Sequence, residues 1–154
     1  MPSQLSILVF IASPLDFARY RHAALYFDFE NAHKDKHIDS NTENEDDIKS
    51  AVMEVVGSTG YYSFHERVNM PIAVTGLAKA VPVSSIPDTV SVSSLRATIS
   101  GTPVVNQDGD WNSQNWVGDA LGRLVKAGYL ESGARDRALD AMVDVILEAK
   151  DEEL

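Results

Sequence analysis

The chain opens in the two-residue rhythm of strands and closes in the rhythm of helices. "HAALYFDFE" alternates so that His22, Ala24, Tyr26 and Asp28 share one face, which predicts a strand over His22 to Glu30. Gln4 to Ser13 contains "LSILVFIA" and reads as a buried strand. "AVMEVVG" and "YYSFHERVN", separated by the turn-like "GSTG", predict the next two strands, and Ala73 to Val83 supplies another. Pro82, Pro87 and Pro103 then bracket "SVSSLRATIS", where Val92, Leu95 and Ile99 are spaced for a short helix.

From Ser113 onward the apolar positions Trp116, Val117, Ala120, Leu121, Leu124 and Val125 build one helical face, with Asp119, Arg123 and Lys126 opposite. Gly128 stands where a left-handed cap ends such a helix. A last helix over about Ala134 to Ala149 is expected to turn Leu139, Met142, Val143, Ile146 and Leu147 inward. The sum is an α+β fold, an antiparallel sheet packed against helices, in a single domain over 1–154.

"NAHKDKHIDSNTENEDD" breaks this patterning, and about 31–48 is expected to form a mobile acidic loop. A formal net charge of −10 argues against nucleic acid and anionic membranes as partners, because no basic cluster is present to neutralise phosphates. "LSILVFIA" is too short to span a bilayer and follows no positive region of the kind a signal peptide carries. The closing "KDEEL" is not an ER-retention tetrapeptide, so a cytoplasmic location is expected. The sequence contains no cysteine, which excludes disulfides, thiolate metal sites and thiol catalysis in this chain as it stands.

The histidines are His22, His33, His37 and His65. His33 and His37 have a metal-binding spacing, but "NAHKDKHIDS" has no helical apolar face and carries two lysines that repel a cation, so no metal site is expected. No glycine-rich phosphate loop, GxSxG or HExxH occurs, and no cofactor is expected. On strands, His22 and His65 serve equally as half-buried structural side chains. Glu54, in "VMEVV", needs a partner if it faces inward and none on an exposed face. Ser113, beside Asp110 and Asn112, reads first as an N-cap or a first-turn residue next to one.

A strand histidine in "HAALYFDFE", a returning strand "AVMEVVG" and a late helix opening on "NSQNWV" together resemble the circularly permuted papain-like fold of the NlpC type, nearest its lecithin retinol acyltransferase-like branch. The resemblance covers about residues 20 to 130. It implies His22 as general base, Ser113 at the position of the nucleophilic cysteine, and Glu54 as the group that orients the imidazole, with His65 in reserve. The chain departs from the family in lacking that cysteine.

A helix N-terminus favours an anion, and with a neighbouring imidazole it brings a thiol from about 8.5 into the 3.5–7.5 range. A serine hydroxyl gains little from the same surroundings and must lose its proton to a base during attack. Three readings of Ser113 follow: an inactivated variant in which serine replaces cysteine, a natural Ser-His-Glu nucleophile, or a cleft that has lost covalent chemistry and binds.

The activity the resemblance implies is that of a hydrolase or acyltransferase acting on an amide, ester or thioester of a small molecule or peptide, with first-turn N–H groups stabilising the oxyanion. The alternatives are a non-catalytic binding module and a non-covalent acid/base isomerase or cyclase. Tyr26, Trp111 and Trp116 would suit an apolar ligand if they line the cleft, and otherwise belong to the core.

Overall fold

The structure, a computed structural model, describes residues 3–12, 16–29, 48–72 and 76–148. Among these, five strands form one antiparallel sheet in the order β4-β3-β2-β1-β5: β1 (Ser3–Phe10), β2 (His22–Asp28), β3 (Ser50–Val56), β4 (Ser63–Val68) and β5 (Leu77–Ile86). Helices α1 (Val92–Ser100), α2 (Ser113–Lys126) and α3 (Ser132–Leu147) follow in sequence. The fold class is thus the α+β class that the alternation and its later change of period require. No helix among the described residues is long and apolar enough to cross a membrane.

β2 lies at the centre of the sheet and is apolar on both faces for that reason. Ala23, Leu25 and Phe27 join Leu5, Ile7, Met53 and Val55 beneath the helices, with Phe27 and Phe29 stacked at 5.3 Å. On the other face Ala24 meets Leu8 and Val52 in a smaller cluster, which Phe10, Tyr26, Ile72 and Leu77 partly cover. α2 lays Trp116, Val117, Ala120, Leu121 and Leu124 into the main core. It ends in a Schellman arrangement, with Tyr129 N donating to Leu124 O and Gly128 N to Val125 O while Gly128 takes φ +84°.

Several boundaries differ from the sequence expectation. β1 ends at Phe10, short of Ser13, because the chain turns away there: Ile11 N pairs with Gly76 O, and Ala12 N is taken by the Asp16 carboxylate. β5 starts at Leu77 and runs on to Ile86, with Pro82 inside it. An edge strand tolerates the missing N–H, and the register of β1 against β5 shifts between Leu5 and Ser6, beside that proline. The expected acidic loop over about 31–48, with His33 and His37, lies outside the described residues except for Ile48.

The inward face of α3 also needs correction. Ala134, Ala138, Met142, Val145 and Ile146 are buried, whereas Val143 is 46% and Leu147 68% exposed. Small alanines carry the first half of the contact, so the buried stripe follows their phase and Val143 and Leu147 fall off it. Met142→Ala should therefore cost about 2–5 kcal/mol in urea unfolding, against about 0.5 kcal/mol or less for Val143→Ser. Equal costs would contradict this orientation of the helix.

Candidate functional site

The ladder between β2 and β3 runs from Asp28–Ser50 to Leu25–Met53 and stops. Beyond it β2 continues to His22 against β1, and β3 continues to Val56 against β4. The two strands part there, and the first turn of α2 stands at the opening. Ser113 Oγ accepts the Ala23 N–H at 3.1 Å, supplying to β2 the acceptor that β3 no longer offers.

Ser113 is not the cap of its helix. Asn112 is: its Oδ1 accepts Gln114 N at 2.9 Å, and its own N–H goes to Asn115 Oδ1 at 3.0 Å, completing a capping box. The Trp116 N–H returns to Asn112 O. Ser113 follows the cap directly and turns its hydroxyl toward the sheet instead.

A cleft of about 380 Å³ opens beside it, lined among others by Tyr20, His22, Glu54, Tyr62 and Ser113. His22 alternates with Ala24 and Tyr26 on the face away from the helices, and Ser113 arrives from the helical side. The two reach one cleft because the strands have separated at this end. The His22 ring is one-third exposed and lies 5.9 Å from Phe10, its partner on β1.

Glu54 is buried on β3. The β2–β3 register, carried one step past Leu25–Met53, sets it level with Ala24 and so diagonal to His22. Its Oε1 is 3.8 Å from His22 Nε2, within ion-pair range but longer than a hydrogen bond, and its Oε2 accepts from Arg67 Nη2 at 3.3 Å. Burial pushes the Glu54 carboxyl upward. The His22 imidazole, and then the Arg67 guanidinium, outweigh that and hold it below the usual glutamate value.

His65 is level with Glu54 on β4, exposed, and two strand spacings from β2, or about 9.5 Å. Glu54, not His65, is the residue in charge contact with His22.

Trp111 and Trp116 belong to the core, 6% and 0% exposed, and do not line the cleft. Trp111 acts one layer back: it packs edge-on against Tyr62 at 5.7 Å and donates Nε1–H to Asp119. Tyr26 lies further along the open face, in a second groove with Asp28, Lys49 and Met70.

Sequence reasoning missed Tyr20, Tyr62 and Arg67. Arg67 was readable, since it follows His65 by two positions and therefore shares its strand face beside Glu54. Tyr20 closes the 3-10 turn before β2, and Tyr62, expected within the fourth strand, lies just before β4; nothing in their sequence surroundings aims either at a cleft. Among the described residues no group of three or more His, Asp or Glu side chains is arranged to hold a metal ion. Comparison of the chain with protein-family models, curated proteins and solved structures finds no match.

The depressed Glu54 carboxyl has a definite sign in stability. The folded state binds fewer protons than the unfolded chain in acid, so the contribution is complete above the unfolded value of about 4.3 and is lost as pH falls through the folded value. The stability difference between the protein and Glu54→Gln, read from urea midpoints along a pH series, should shrink as pH drops below about 4. A difference independent of pH would mean that His22 and Arg67 do not favour the carboxylate.

Proposed function

We propose that this cleft carries out acyl-transfer chemistry of the papain-like type, as a hydrolase or acyltransferase on an amide, ester or thioester. What carries the reading is that residue 113, at the start of a helix, shares one cleft with His22, whose ring has a buried carboxylate on its Nε2 side. With Glu54 facing Nε2, Nδ1 is the ring nitrogen left to take a proton.

In the first half-reaction the residue 113 side chain attacks the substrate carbonyl and its proton passes to His22. Collapse of the tetrahedral intermediate expels the leaving group, which takes that proton. Water or a second acceptor, deprotonated by His22, then releases the acyl group. Oxyanion stabilisation is narrower than first-turn N–H groups in general. The Asn112 side chain already occupies the N–H groups of Gln114 and Asn115, and the Asn112 carbonyl occupies that of Trp116, so the Ser113 N–H is the donor assigned here.

A second reading, a cleft that binds without turnover, is favoured by one observation. Ser113 is only 4% exposed, and its oxygen is already engaged by Ala23 N–H.

Ser113→Cys separates the two. At a site built for acyl transfer the new thiol should titrate at least about one unit below the ordinary 8.5, reacting with iodoacetamide below neutral pH. His22→Ala in the same background should return most of the shift, leaving the smaller part due to the helix start and the Ala23 N–H. A thiol that reacts identically with and without His22 sinks the catalytic proposal and leaves the binding reading.

A further inference from the structure

We propose that Gln114 is a positioning residue that sets His22 against residue 113 by gripping the backbone immediately before β2. The proposal rests on the acyl-transfer reading of the cleft. The Gln114 side-chain amide donates through Nε2 to two carbonyls at once, Ala18 O and Arg21 O, each at 3.0 Å. The second belongs to the peptide whose nitrogen is that of His22. Asn112 Nδ2 reaches Arg19 O at 3.3 Å, so the residues on either side of position 113 both bind the segment that delivers the imidazole.

This grip is needed where it occurs. β3 has left β2 at this level, so β1 alone continues to pair with the strand at His22, and the 3-10 turn Ala18–Tyr20 has no buried residue of its own. The Gln114 amide supplies, from the helix, the cross-link that the missing strand would have given. It is only half-buried and contributes no large apolar surface, so its effect lies in placement more than in core stability. Because both donors come from one planar amide on the residue that follows 113, a shift of α2 along the sheet carries His22 with it.

The same grip explains why Gln114 is not an oxyanion donor despite its position beside residue 113. Its amide N–H groups point into the 18–21 turn and are used there.

The test uses Ser113→Cys protein and reads the pH profile of iodoacetamide alkylation, with a thermal melt as a check on folding. Gln114→Met keeps the length and most of the volume of the side chain but removes both donors, and Gln114→Ala removes the side chain. Each should raise the pH of half-maximal alkylation and lower the rate at about pH 6 by about fivefold or more. The shift should vanish in the His22→Ala background, because the glutamine acts through the histidine.

A merely structural glutamine would lower the melting temperature while leaving the profile unmoved, or would shift it equally with and without His22. Either result overturns the proposal. If Ser113→Cys proves independent of His22 in the parent, the acyl-transfer reading falls as well. If the parent depends on His22 and the Gln114 variants do not change it, only the positioning role falls.

Discussion

One hydrogen bond, from Ala23 N–H to Ser113 Oγ, stands at the joint between sheet and helix. A central strand whose neighbour departs leaves buried amides without acceptors, and an unpaired buried amide costs about 1–3 kcal/mol. Here a side chain on the first turn of α2 fills the role of the lost strand. Once it does, the helix is fixed along β2, Trp116 enters the core against Phe64, and the space on the other side of the hydroxyl becomes the cleft. Separation of the strands creates the need, and one local solution to it both docks the helix and places Ser113 at the cleft.

Two carboxylates near this joint are held by cations in different ways, and the contrast separates scaffold from site. Asp16 meets Arg21 with both oxygens, at 3.1 and 2.7 Å, and the same arginine caps Val145 O at the end of α3. The Arg21 hydrogen bonds hold Asp16 below its usual value. That pairing ties the end of β1, the start of β2 and the last helix into one unit. Glu54 has no such fork. It divides its oxygens between Arg67 and the His22 ring 3.8 Å away, beside a cleft open to solvent.

Much of the fold was legible because it rests on period. The alternation in "HAALYFDFE" and the apolar stripe of the Ser113 helix are strong signals, and both elements stand where the pattern put them. The bounds of β5 and the face of α3 were misread because their outcomes depend on neighbours: pairing with β1 carries the edge strand past Pro82 to Ile86, and a row of alanines sets the helix phase before the larger residues do. The candidate site was legible in its residue types and, through the family resemblance alone, in the grouping of His22, Ser113 and Glu54. That His22 and Ser113 share a cleft follows from β3 leaving β2 after Met53, an event with no mark in the sequence. Gln114 was likewise invisible, since its partners are backbone carbonyls nearly a hundred positions earlier.

The surroundings of position 113 do not treat oxygen and sulfur alike. A backbone N–H donor and a helix start both favour a negative charge, and for a thiol they act on an equilibrium already close to neutrality. A hydroxyl is far more basic, so the same groups leave it protonated and contribute one ordinary hydrogen bond, worth about 1 kcal/mol. With serine in place, these groups stabilise the fold through that hydrogen bond more than they would activate residue 113 under the proposed acyl-transfer reading. Under the proposed acyl-transfer reading, attack by the hydroxyl would require proton transfer to His22, the imidazole that shares its cleft. The side-chain atom at 113 thus decides whether this geometry is a ready-made reactive centre or a well-built hydrogen-bonded corner, while the backbone around it is the same in both.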